Sequence, residues 1–509
     1  MKKQSVIIML CCAWLADLAP SAWAVDTAAL RQILPKPAQT LHDEMSLSMG
    51  VGFVPARGYL LYHYATDGRP DLSIPIAQKQ AKLRRSPSDA QAAFDLGEML
   101  SRESEKTPAQ AAYARAVTLF QRQVEASPRN PWLRTRLGVA LARVGRDKDA
   151  EDALRHATVM PPSPWQAWLQ WGNLLARTAS AQTPGKWTQA AFCFDHAVVA
   201  APHEAAPRYR RAEFRRTVAS LKLHSAGDFT PYPPQAVADI DMAIQGSRDA
   251  YFIASAASGE ALYASFARRG TAPLPTSSRV YDALPGSAQR SVRIAVARLR
   301  GLTQSADGTQ AANAWTALAW LQYEVLYRPA QAENSLRRAL ARDPSCEPAA
   351  TYLTHIFLSE DDDKNAALFL TKWMPRQDTL RSHVLLAVAL ADQNRIGLAA
   401  NEMQNASEHA PQDPAIELAY AVLCLRKLPS NDITDTEAGL ALADVSKGLN
   451  ASTPAALRQE YGLTQGIYLA LTGRQDEARR ELEQLAHAGG DTTDVNKALA
   501  IVKQQPSYR

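Results

Sequence analysis

Apolar positions recur at helical spacing in short blocks, each closed by glycine or proline. In the 34-residue stretch Pro131 to Pro164, Leu137 and Leu141 lie one turn apart. Gly145 then breaks the run, Ala150, Leu154 and Ala157 resume it, and Pro162 ends it. That pattern predicts two antiparallel helices joined by a tight turn, with small residues where they cross. Upstream, Phe94, Leu96-Gly97 and Leu100 answer Ala116, Phe120 and Val124. Downstream, Trp168, Trp171-Gly172 and Leu175 answer Ala190, Phe194 and Ala197.

The same order returns around Tyr209–Ala212 with Ala236, Ile240 and Ala243, around Tyr323 with Ala332, Leu336 and Ala339, and around Leu353 and Phe357 with Ala366 and Leu370. It returns again around Leu386-Ala387 with Ala399, Met403 and Ala406, more loosely from Leu418 to Leu449, and last with Gly466, Leu469, Gly473, Ala478 and Leu482. This order of small and large positions resembles the tetratricopeptide repeat (TPR). Several units depart from it at the fourth position, where Arg134, Thr316, Ala350, His383 and Gly462 replace a large aromatic residue. The resemblance implies an all-α fold: an α-solenoid of TPR-like helical hairpins forming a right-handed superhelix. One hairpin cannot bury its apolar face alone, so stacked neighbours share a continuous core. The expected organisation is a non-repeat segment at 25–85, an N-terminal TPR array at 86–249, an atypical helical insert at 250–310 with Pro273, Pro275 and Pro285, and a C-terminal TPR array at 311–509. Residues 25–85 hold Met49–Phe53 and the apolar, aromatic run Gly58–Tyr64. Two roles stand open for that segment, a cap on the first array or a separate binding element.

The first 24 residues read as an address. Met1-Lys2-Lys3 precedes an apolar stretch from Val6 to Ala19, interrupted by Asp17, and Ala22-Trp23-Ala24 has the small-x-small form of a signal-peptidase site. Cleavage after Ala24 and a bacterial periplasmic location are the expectation. Leu10 before Cys11 does not suit lipidation. The remaining cysteines, Cys193, Cys346 and Cys424, are too few and too scattered for a disulfide framework and read as small buried hydrophobes. At 46% hydrophobic and 21% charged, the 509 residues can bury a large core. A net charge of +5 is too small an excess for a dedicated nucleic-acid binder. No internal run reaches the roughly 18 apolar residues that a membrane helix needs.

Catalytic and metal motifs are missing. There is no Walker loop, no G-x-S-x-G, no H-E-x-x-H and no Cys-x-x-Cys, so neither an enzyme, a cofactor nor a metal site is expected. His355 and His383 fall on first helices of units, where burial or a groove-facing role accounts for them. Glu360–Asp363 lacks the glycine and the spaced oxygens of a calcium loop and reads as a solvated turn that favours the next helix start.

The groove-facing ends of the first helices carry the candidate site. Arg102, Arg143 and Arg177 share one register position in three consecutive units. Arg216 falls close to it in the fourth, and Asn173 lies one turn before Arg177. Such a ladder suits carboxylates, because each guanidinium offers a two-pronged fork. Arg208–Arg211 with Arg215 and Arg216 concentrates charge nearby, and Trp165, Trp168 and Trp171 recur every three residues beside the ladder. The competing expectations are that the arginines pair with neighbouring acids and that the tryptophans are repeat core. In the later array the equivalent positions are Val325, Asp392 and Leu471, so the two arrays are expected to hold different partners. The function this implies is a non-enzymatic periplasmic scaffold that takes an extended or acidic segment of an envelope or secretion-machinery protein into its concave groove. The alternative is an accessory of exopolysaccharide export that contacts an anionic glycan.

Overall fold

The computed structural model describes residues 27–34, 73–102, 106–180, 182–222, 231–269, 279–410, 413–427, 432–449, 455–487 and 492–504. The expected signal peptide, most of segment 25–85 and its runs Met49–Phe53 and Gly58–Tyr64 lie outside those residues. Every regular element described is helical, and the chain divides into two compact units: Arg69–Leu353, and Met1–Gly68 with Thr354–Arg509. No helix among the described residues is long and apolar enough to cross a membrane.

Helix α1 (Thr27–Ile33) belongs to the second unit. The first unit runs α2 (Ser73–Arg85), α3 (Ala90–Arg102), α4 (Lys106–Ala126), α5 (Pro131–Arg143), α6 (Asp147–Thr158), α7 (Trp165–Thr178), α8 (Gly185–Ala200), α9 (Ala205–Lys222) and α10 (Pro234–Gly246). It continues with α11 (Ala250–Arg269), the single turn α12 (Arg279–Asp282), α13 (Gly286–Leu302), α14 (Gly308–Trp320, extended by a π turn at Leu321–Val325) and α15 (Pro329–Arg342). Neighbours in sequence pair: α3 with α4, α5 with α6, α7 with α8, α9 with α10, and α14 with α15. Each pair rests on the next through α4 on α5, α6 on α7 and α8 on α9. Segment 250–310, read from the sequence as an insert, supplies a hairpin of its own. Helices α11 and α13 pair across a long connector, and one apolar core runs from Ala212 through Ile253 and Val292 to Leu321. Helix α2 packs on α3 and closes the start of the unit with Leu83.

In the second unit α18 (Leu380–Asp392) pairs with α19 (Ile396–His409), α20 (Pro414–Arg426) with α21 (Asp432–Gly448), and α22 (Ala455–Leu471) with α23 (Gln475–His487). Before them come α16 (Glu347–Ser359), within which the chain division between Leu353 and Thr354 falls, and α17 (Asp363–Trp373); α24 (Thr493–Lys503) follows on α23. Helix α1 lies against α22 and α24, burying Leu30 and Leu34.

Local chemistry sets the helix ends. Asn130, Asp249, Asp307 and Asp413 accept from the first free backbone N–H groups of α5, α11, α14 and α20, as N-caps do. The turn inside a hairpin needs a left-handed residue, and glycine supplies it at Gly145 (φ 79°) and Gly473 (φ 81°). Asp361 takes the same conformation (φ 57°) and Asp362 caps α17, so the acidic run Glu360–Asp363 is a turn followed by a helix start.

In four of the first helices, α3, α5, α7 and α22, a glycine sits where the partner helix presses closest. A Cβ on Gly97 would lie 2.6 Å from the Tyr113 ring, on Gly138 2.6 Å from Leu154, on Gly172 3.1 Å from Phe194 and on Gly466 2.7 Å from Leu482. Gly138→Val is therefore expected to cost about 2 kcal/mol by overpacking. Gly301→Ala is expected to stabilise by about 0.5 kcal/mol, because a helical glycine with no neighbour within 4 Å gains only backbone stiffness. Denaturant midpoints of the two variants should move in opposite directions.

Candidate functional site

A cavity of about 630 Å³ opens between the first helices of successive hairpins in the first unit. Its wall takes Val139, Ala142 and Arg143 from α5, Gln170, Asn173 and Arg177 from α7, Tyr209 and Arg210 from α9, and Phe252 from α11. Residues 170, 173 and 177 share one face of α7 because their spacings of three and seven are close to whole helical turns. Leu169, Leu174 and Ala206 complete an apolar floor, and the Tyr209 ring meets Phe252 edge-on at 5.1 Å between centroids.

Two of the cavity's cations already have partners. Arg143 Nε donates to Glu98 Oε1 at 2.6 Å and its Nη2 to Oε2 at 3.3 Å, while Tyr113 Oη donates to the same carboxylate at 2.9 Å. The bond to Glu98 holds the Arg143 guanidinium charged above its ordinary range. Arg177 Nη2 donates to Asp147 Oδ1 at 2.5 Å. Both arginine side chains are about half exposed (50% and 54%), so each pair contributes about 0–1 kcal/mol and can be exchanged for another carboxylate at little cost. Arg210 is exposed on the wall and makes no ion pair or hydrogen bond among the described residues. Among the described residues Asn173 donates only a long 3.4 Å bond to Gln170. The site thus offers one unengaged cation, two loosely engaged ones and two side-chain amides above an apolar floor. That combination can take a carboxylate together with the backbone of an extended chain and an apolar side chain.

Arg143, Asn173 and Arg177 come together in this cavity; Arg216, Trp165 and Trp168 do not line it. Arg102 ends α3, and its side chain lies outside the described set. Arg216 is buried two turns beyond Tyr209 on α9, 3.4 Å from Glu213 and over the Tyr232 ring. Three of the four other arginines of that charged run turn inward. Arg211 makes a two-pronged pair with buried Asp239 (2.8 and 2.6 Å), Arg215 adds a third bond at 2.8 Å, and Arg208 stands 3.7 Å away. Of the run, Arg210 is left for the cavity. Trp168 faces α8, where its ring stacks on His196 (4.6 Å, 19°), meets Phe192 edge-on and donates from Nε1 to Ser163 Oγ at 3.0 Å. Trp165 packs on the core formed by Leu169, Leu175 and Phe194.

Gln170 and Phe252 enter the site without having been named, and Tyr209 was read as a repeat position. Arg210 was legible only as part of a charged run; its separation from Arg208, Arg211 and Arg215 depends on Asp239, 28 residues beyond Arg211.

No family model and no curated protein matches the sequence. Among solved structures the chain is similar to yeast Tom70 (14% identity, 82% of this chain and 95% of that one, TM-score 0.37). It is also similar to the Cut9–Hcn1 hetero-tetramer (12%, 84% and 86%, TM-score 0.30) and to a tetratricopeptide repeat protein from Parabacteroides merdae (9%, 75% and 98%, TM-score 0.26). Likenesses of this size carry no argument, and the fold rests on the helix pairing itself.

Proposed function

We propose that the chain is a non-enzymatic binding scaffold whose first-unit cavity receives an extended, carboxylate-bearing segment of a protein partner. The observation that supports this reading most directly is Arg210, an exposed cation that makes no ion pair or hydrogen bond among the described residues, beside Asn173 and two exchangeable arginine pairs over an apolar floor. A receptor held rigid by stacked hairpins loses little order on binding, which favours capture of a flexible segment. The start of the chain, basic, then apolar, then Ala22-Trp23-Ala24, supports the periplasm as the location and an envelope or secretion-machinery protein as the partner. The glycan reading loses support, because it drew on a tryptophan platform and Trp165 and Trp168 lie away from the cavity.

The test is a photo-crosslinking residue at Gln170 in living cells, compared with one at exposed Met242, which does not line the cavity. A discrete protein product specific to Gln170 is expected. Arg210→Glu should reduce it at least tenfold, since like charges across a site cost several kcal/mol, with circular dichroism and melting unchanged. Equal products from both positions, or undiminished capture by Arg210→Glu, would defeat the assignment. A salt-sensitive saccharide adduct in place of a protein would install the glycan reading instead.

A further inference from the structure

The α18–α19 hairpin gathers a set of metal-ligating side chains that no sequence motif announces. Asp378 lies in the link before α18, His383 in the first turn of α18 and His409 at the last residue of α19. Because the two helices run antiparallel, the start of one and the end of the other meet at the same end of the hairpin. His383 Nε2 lies 2.7 Å from Asp378 Oδ1, and His409 Nε2 lies 3.8 Å from Asp378 Oδ2. The two imidazole rings are 5.3 Å apart between centroids. One ligand atom from each of the three residues lies within 4.8 Å of the others. Around a tetrahedral ion with bonds of about 2.0–2.1 Å, ligand atoms stand roughly 3.3 Å apart. Asp378 is exposed in the link before α18, and His409 is about a third exposed at the end of α19, so both can adjust around an ion held by His383.

A fourth residue distinguishes this group from a chance cluster. His383 is nearly buried, at 8% side-chain exposure, and its other nitrogen, Nδ1, lies 2.7 Å from Glu402 Oε2. Glu402 and His409 stand seven residues apart and so share one face of α19. A carboxylate on the far nitrogen of a histidine fixes the ring and its tautomer so that Nε2 points at an ion, the usual second partner of a metal-bound imidazole. The free carbonyls at the end of α19 add negative potential where His409 sits.

We propose that Asp378, His383 and His409 bind one divalent transition-metal ion of the zinc class, with Glu402 orienting His383. Two imidazoles and one carboxylate suit Zn²⁺, Ni²⁺ or Cu²⁺ and not Ca²⁺ or Mg²⁺, which require mostly oxygen ligands. His383 lies between two carboxylates, Asp378 and Glu402. Burial works against its charged form, but the Glu402 hydrogen bond and the Asp378 charge outweigh it and raise its pKa. The ion replaces the proton on Nε2, which leaves to solvent, while Nδ1–H stays with Glu402. His409 and Asp378 are 35% and 63% exposed, so the remaining coordination position faces water.

The experiment uses the full chain carrying no histidine tag, stripped with chelator and titrated with Zn²⁺ by calorimetry, with Co²⁺ as an absorbing substitute. One equivalent of Zn²⁺ and a visible Co²⁺ band of tetrahedral type are expected. His409→Gln, at an exposed helix end, should weaken binding at least about a hundredfold with the circular dichroism spectrum retained. Glu402→Gln should weaken it about 10- to 100-fold, as removing an outer partner of a metal ligand does. Absence of stoichiometric binding by the unaltered chain would overturn the site, as would full affinity in both His409→Gln and Asp378→Asn.

Discussion

Asp239→Asn is expected to lower the stability of the first unit by about 3–5 kcal/mol, because it removes one partner of a buried charge network and leaves the others in place. Asp239 is 4% exposed at its side chain, and Arg211 and Arg208 are 16% and 14% exposed. Three guanidiniums converge on this single carboxylate. Asparagine keeps the shape but offers one neutral oxygen and turns an N–H₂ toward cations. Asp195, the other acid in reach, is 56% exposed and cannot replace a buried anion. Arg215→Gln removes a third-exposed member and is expected to cost under about 1 kcal/mol, as partly exposed pairs do. Stacked hairpins unfold by neighbour coupling, and a single global midpoint can hide a local loss. Hydrogen exchange of α9 and α10 is therefore the sharper measurement. Protection of those helices in Asp239→Asn within 1 kcal/mol of the unaltered chain would mean that the network does not hold the hairpin.

The same carboxylate explains how much of the site could be read in advance. The hairpins were legible because their information is local: Gly138 facing Leu154 and Gly466 facing Leu482 are each 16 residues apart, within one unit, and Gly145 and Gly473 mark the turns directly. The groove positions Arg143, Asn173 and Arg177 followed from the same register. For the tryptophans the sequence left two readings, groove platform and repeat core, and helical spacing separates them. Trp168 and Arg177 are nine residues apart, about 900° around a helix, which puts them on opposite sides. Arg216 and Arg210 could not be told apart locally. Which arginine of the run stays in solvent depends on Asp239, and which is buried depends on Tyr232 and Glu213. The His383–His409 grouping was hidden for the same reason: 26 residues and a helix reversal separate its members, and neither neighbourhood carries a motif. At 250–310 the periodicity made both helices legible, and their pairing was not, because a long connector separates them.

Glu260→Gln is expected to stabilise the first unit by about 3 kcal/mol at pH 8 and by almost nothing at pH 4.5. Glu260 lies on α11 with 2% of its surface exposed. Burial pushes its carboxyl up to about 7; the Asp241 carboxylate adds to that rise, while the Ser291 hydroxyl and Arg290 oppose it. Much of what could satisfy Glu260 is committed elsewhere, since Ser291 Oγ and Arg290 Nε both donate to Asp241. An unfolded chain releases this proton near its ordinary value of about 4.3, whereas the folded chain keeps it until about 7. Between those values the folded state binds more protons, so its stability falls as pH rises. Above pH 7 the full cost of a buried charge is present, about 1.4 kcal/mol for each unit between the two values. Glutamine has the shape of the protonated acid and no charge to lose, so its stability curve should be flat where that of the unaltered chain declines. Paired denaturant titrations at pH 4.5, 6 and 8 measure the difference directly. A constant offset across the three would show that Glu260 acts through packing, and a gain that grows with pH would show that α11 holds an acid the fold prefers neutral.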